Sequence, residues 1–304
     1  KQVPKELVAQ VSPRVIQSLC NTALELVDVT TAASILKWYI LCLRHINDDE
    51  RRLVRFLRDM HPAILVPILT HLAESVDRSA AAKWAEWLVG VEEDPYMDTF
   101  PEAFRARWLM CLCSLDLLDQ ARALYRRWTG ASGSPLEPKV RTAYQSRHTS
   151  LNFSGNAVYR QIHHAFGSQA PHESAEVVHP ATENIIHRNG ACMLALVRKF
   201  GHGTQWKNAP DTQFARAVRD DFLVHVYGSH MPPSHYELTA LLQACMLLRE
   251  HQVAMRVLRT MESFGYELDA KDMAVLLGGM MDVNPSAAVM IMKHLSAPLS
   301  QNPV

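Results

Sequence analysis

Residues His235 to Asp269 read HYELTALLQACMLLREHQVAMRVLRTMESFGYELD. Leu238, Leu241, Leu242 and Cys245 recur at the three- and four-residue spacing of one helix face. Arg249-Glu250-His251 interrupts the run, and a second helical stretch follows with Ala254, Val257, Leu258 and Met261. Gly265 closes it, as glycine does where a chain must enter the left-handed region after a helix. Two helices of this length joined by a tight turn cannot bury both apolar faces on each other alone. They need neighbours of the same kind, so this stretch predicts a stack of helical hairpins.

Fainter copies extend along the chain. The second-best spans Glu102 to Leu136, with Ala121, Tyr125 and Trp128 in the places of Ala254, Leu258 and Met261. Pro62 to Tyr96 holds two helices, and Pro138 to His172 a helix around Ala157. A helix from about Glu183 to Phe200 and another from Thr212 to Tyr227 follow. Beyond Asp269 comes a further pair whose second helix opens at Pro285. At least one more fits before Met60. The expectation is a single all-α solenoid of antiparallel helix pairs over residues 1–304, with roughly seven to eight hairpins and a frayed tail at 296–304. Short alternating apolar runs are lacking, so little β-structure is expected.

The stretch at His235 resembles a pentatricopeptide repeat, on Ala254, Leu258, Met261, Gly265 and Asp269. The resemblance implies a superhelix, close to that of tetratricopeptide repeats, and a non-enzymatic RNA-binding protein of mitochondria acting in transcript stability, processing or translation. It also implies that the fifth and last residues of a unit read one base of single-stranded RNA. Those are Thr239 and Asp269, a pair that would favour guanine. The unit at Glu102 carries Ala106 and Leu136 there instead, which cannot read a base by hydrogen bonds. The alternative is a protein–protein scaffold, a subunit or assembly factor of a mitochondrial ribosome or respiratory complex. Its support is the poor base code and the neutral total charge.

That neutral total hides an uneven distribution. Residues 1–104 hold 11 Lys and Arg against 15 Asp and Glu, residues 105–219 hold 15 against 7, and residues 220–304 hold 5 against 9. A centre of +8 lies between flanks of −4, and such a centre attracts phosphate. Arg105, Arg107, Lys139, Arg141 and Arg147 are the candidate phosphate contacts.

Catalytic signatures are wanting. There is no Gly-rich phosphate loop, no Gly-x-Ser-x-Gly elbow and no His-Glu-x-x-His helix. No enzymatic activity, cofactor, metal or small-molecule substrate is therefore expected. His163-His164 diverge by about 100° on a helix, and Cys111 and Cys113 point to different sides. Asp48-Asp49-Glu50 reads as an acidic helix start. Asp220-Asp221 reads as a solvated face. The six cysteines lie in apolar helical runs and read as buried free thiols, which fits a reducing compartment. No run of eighteen apolar residues predicts a membrane span. The chain opens on Lys1 rather than Met, so a targeting presequence is neither seen nor excluded.

Overall fold

The computed structural model describes residues 11–46, 50–75, 77–89, 95–130, 186–202, 210–228 and 232–296. They are all-α, with no strand among them. The chain divides into two compact units, Lys1–Gly130 and Ala131–Val304.

The first unit contains α1 (Pro13–Glu25), α2 (Val29–Ile46), α3 (Glu50–Arg58), α4 (Pro62–Glu74), α5 (Arg78–Val89), a 3-10 turn (Pro95–Thr99), α6 (Glu102–Ser114) and α7 (Leu118–Thr129). Prolines at the first helical position open α1 and α4, where the missing N–H is no loss. The Ser12 hydroxyl and the His61 imidazole accept the exposed amides of Arg14 and Ala63. In space α2 packs on α4 and α4 on α6, while α3 packs on α5 and α6 pairs with α7. Helix α6 is buried on several sides through Ala106, Trp108, Leu109, Cys111, Leu112 and Cys113. Phe100 and Trp128 stack at 6.1 Å, and the Trp128 indole donates to the Met97 carbonyl at 3.2 Å.

The second unit contains α8 (Gly190–His202), α9 (Thr212–Gly228), α10 (His235–Leu247), α11 (His251–Ser263), α12 (Ala270–Val283) and α13 (Pro285–Ser296). Here α8 packs on α10 and α10 on α12, and each pairs with the helix that follows it. The first of these contacts depends on a missing side chain: a Cβ on Gly190 would lie 2.9 Å from the Cβ of Ala240. Ala121 and Ala254 are both fully buried, each on the second helix of its hairpin.

One turn recurs in three hairpins. Leu26, Leu115 and Leu248 end their first helices, and the next residue is left-handed: Val27 at φ 60°, Asp116 at 61° and Arg249 at 57°. In each, the amide after that residue reaches back five positions: Asp28 to Ala23, Leu117 to Leu112, and Glu250 to Cys245. This satisfies a carbonyl that the end of a helix leaves open. Gly265 makes the same bond pattern after α11 at φ 72°, where glycine bears no steric penalty.

The sequence places one helix start too early. The stretch from Glu183 does not run unbroken into α8. Residues 186–188 form a turn, and the Asn189 side chain accepts the Cys192 amide at 2.9 Å, so the helix begins at Gly190. The helix expected around Ala157 lies outside the described residues. Among those described, no helix is long and apolar enough to cross a membrane.

Candidate functional site

Helices α10 and α12 begin side by side, and both begin with a capping box. In α10 the Ser234 hydroxyl accepts the Glu237 amide while the Glu237 carboxylate accepts the Ser234 amide. In α12 Asp269 and Asp272 exchange the same pair of bonds, at 2.8 and 3.1 Å. That second box brings the base-reading candidates together. Thr239 is 4% exposed, and its hydroxyl lies 2.6 Å from one oxygen of Asp272 and 2.9 Å from the His235 carbonyl. The other Asp272 oxygen faces the Nε2 of His235 at 2.7 Å. Thr239 and Asp269 therefore meet through Asp272, a fully buried residue that the sequence reading did not single out. The Asp269-x-x-Asp272 spacing was the available signal, since it has the form of a capping box.

Asp269 itself is exposed. The Asp272 backbone amide stabilises its charged form and lowers its pKa below the usual carboxylate value, with the Lys271 amide and His235 adding to this. The His235 ring stacks on Tyr266 at 5.3 Å, and the Tyr266 hydroxyl donates to the Pro233 carbonyl at 2.9 Å. A donor atom from each of His235, Asp269 and Asp272 lies within 4.8 Å of the others. The set has the nitrogen and oxygen ligands a borderline metal takes. Both oxygens of Asp272 already have protein partners, however, so an ion would have to displace the imidazole or the hydroxyl contact.

Two of the phosphate candidates, Arg105 and Arg107, lie among the described residues, both on α6. Arg105 is half-buried: its Nε donates to the Phe100 carbonyl at 3.1 Å and its guanidinium lies over the Trp128 ring at 5.4 Å. Arg107 is exposed on α6, and Ala106 beside it is buried. Lys139, Arg141 and Arg147 lie outside the described residues, as do Leu136 and His163-His164.

Asp220 is not part of a solvated face. It and Arg219 are both fully buried on α9, with Arg219 Nε 2.7 Å from Asp220. Arg219 also pairs with Glu250 and reaches the Cys245 sulfur at 3.4 Å, while Arg216 binds the other oxygen of Glu250 at 2.9 Å. A charge can stay in the interior only when paired in this way. Glu250 comes from the hairpin after α9, so the cluster ties two successive hairpins, as Asp272 does. Burial pushes the Cys245 thiol up to about 11, and Arg219 only partly offsets that.

No family model, curated protein or solved structure matches the chain.

Proposed function

We propose that this chain is a non-enzymatic helical-repeat scaffold of pentatricopeptide type, which stacks its hairpins into a superhelix and presents their outer faces to a protein partner. The mitochondrial setting follows from the resemblance alone. Thr239 carries this reading: with 4% exposure and its hydroxyl committed to Asp272, it spends its hydrogen-bonding capacity inside the stack. The recurrent turn at Val27, Asp116 and Arg249 supports the repeat character. The test is cross-linking of the tagged full chain in cells, read in parallel for protein and for RNA. Specific cross-links to one protein complex, without enrichment of any transcript, are the expected result. A dominant RNA adduct with no protein partner would overturn it.

A second reading, as an RNA-binding factor of mitochondrial transcripts, is favoured by the +8 charge of residues 105–219. It requires that charge reversal at Arg105, Arg107, Lys139, Arg141 and Arg147 abolish binding to single-stranded RNA.

A further inference from the structure

In the first unit, α1 packs on α2 and α4 and buries Ile16, Cys20 and Ala23. A second face carries Val15, Leu19, Thr22 and Leu26. Offsets of four, seven and eleven residues place these four within about 60° of arc, along about 16 Å of helix. Val15, Leu19 and Leu26 are 50%, 49% and 75% exposed, and Thr22 is exposed as well. No charge interrupts this stripe. The charges of α1 stand on its flank with the exposed Ser18 and Asn21: Arg14 near one end and Glu25 at the other. Both are inverted for their own helix. A helix favours anions at its N-terminus and cations at its C-terminus. In α1 the first turn has no acidic residue and holds Arg14, and the last has no basic residue and holds Glu25. The Arg14 guanidinium makes no hydrogen bond or ion pair among the described residues. Glu25 accepts the side-chain amide of Asn21, one turn back in the same helix, at 2.7 Å.

We infer that this stripe is the contact face of a homodimer, in which α1 lies antiparallel on α1 of a second copy. A twofold axis halfway between Leu19 and Thr22 sets Val15 against Leu26 of the second copy and Leu19 against its Thr22, so the stripes cover each other along their whole length. That axis keeps the two flanks on one side and reverses their direction. Arg14 then comes level with Glu25 of the second copy to within about 3 Å along the helix, and the pair occurs twice. The reversal also corrects the inverted charges. Each Arg14 reaches the C-terminus of the other helix and each Glu25 its N-terminus, where the dipole favours them. A parallel pair would instead align like charges. A nucleic acid would meet a single cation here, with a carboxylate at the far end of the same flank. One helix pair is a small contact, so the dissociation constant should be on the order of 10 μM. The inference goes beyond the scaffold reading and does not depend on what the scaffold holds.

Sedimentation velocity on the full chain, from about 1 to about 100 μM, should show monomer passing to dimer. Leu19→Glu sets two like charges beside the twofold axis and should weaken the dimer by more than about a hundredfold, leaving monomer throughout. Leu19 is half-exposed, so at the lowest concentration the variant should keep the wild-type circular dichroism and melting temperature. Arg14→Glu and Glu25→Arg each place like charges at both flanks and should each weaken the dimer about tenfold. Mixed in equal amounts, the two variants should recover the wild-type strength, because each then meets the opposite charge on the other. That recovery is specific to an antiparallel contact between copies. A chain that stays monomeric at about 100 μM, a dimer indifferent to Leu19→Glu, or a mixture no tighter than its two parts would each overturn the inference. So would a monomer whose melting temperature falls with Leu19→Glu, since the stripe would then be covered by its own chain.

Discussion

The two units are held together by different chemistry. Every buried polar or charged side chain among the described residues (Arg219, Asp220, His225, Thr239, Thr260, Glu262 and Asp272) belongs to the second unit. There, contacts between helices are made by ions and hydroxyls as well as by apolar groups; Tyr227, for instance, donates to Thr260 at 3.0 Å. The first unit uses rings and aliphatic side chains inside, such as Tyr39 on Phe56 at 4.9 Å, and keeps its ion pairs outside. Lys37–Asp77 and Arg78–Asp116 are all about a third or more exposed. Apolar packing tolerates sliding and repacking, whereas a buried ion pair is satisfied in one register only. The second unit is therefore the more stringently specified of the two, and the first the more forgiving.

Removing a buried charge should have the largest effect. Arg219→Met removes the buried cation shared by Asp220 and Glu250, of which Glu250 keeps Arg216, and should destabilise the second unit by about 3–5 kcal/mol. Hydrogen exchange read unit by unit by mass spectrometry should show the loss there and leave Leu36 and Leu69 protected. Equal loss in both units would erase the distinction.

Acid should act on the same side. Burial, with His225 adding, holds His187 down at about 4. Its pKa is lower folded than unfolded, so the unfolded chain takes up a proton first as the pH drops. Stability should be full above about pH 6.5 and fall by roughly 2–3 kcal/mol on the way to pH 4. Asp269, also lowered, continues the loss below the ordinary carboxylate range. Urea titrations from pH 7.5 to 4 should show the decline in wild type and a flatter profile in His187→Phe. An unchanged slope in that variant would remove His187 from the account.

A smaller gain is expected in the first unit. Val27 is 90% exposed and left-handed, a conformation that costs a β-branched residue on the order of 1–2 kcal/mol. Val27→Gly should raise the stability by about 1 kcal/mol, read as a higher urea midpoint at unchanged slope, and a loss instead would mean that the side chain makes a compensating contact. The smallest effect belongs to the surface pairs. Lys37→Met should change stability by no more than about 1 kcal/mol, and less in high salt. A salt-insensitive loss of several kcal/mol would show that the first unit also depends on its charges.

The helices were legible in the sequence because amphipathic spacing is local. His235–Leu247 and His251–Ser263 could be read from Leu238, Leu241, Ala254 and Leu258, and Pro285 marked the start of the last helix. The turns were only half legible. Gly265 announced itself, but Val27, Asp116 and Arg249 adopt the same backbone without glycine, and nothing in their side chains signals it. Thr239 and Asp269 stood out through the repeat pattern. That both would converge on Asp272 depends on how α10 and α12 pack, which no local pattern encodes. Asp220 was misread for the same reason: Glu250, which completes its cluster, is thirty residues away, and a charged pair looks like surface until its neighbours are known.

The free cysteines give each unit its own clock. Cys20, Cys111 and Cys113 are buried in the first, and Cys192 and Cys245 in the second. Burial raises Cys20 to about 11 and Cys111 to about 12, so at neutral pH almost none of either is thiolate while the fold is closed. An alkylating reagent then waits for the helices around each sulfur to part, and its rate of uptake counts those openings. Peptide mapping after timed exposure would assign a frequency of breathing to each position, with no label added to the chain. Cys42, only half-buried, supplies the fast reference in the same tube.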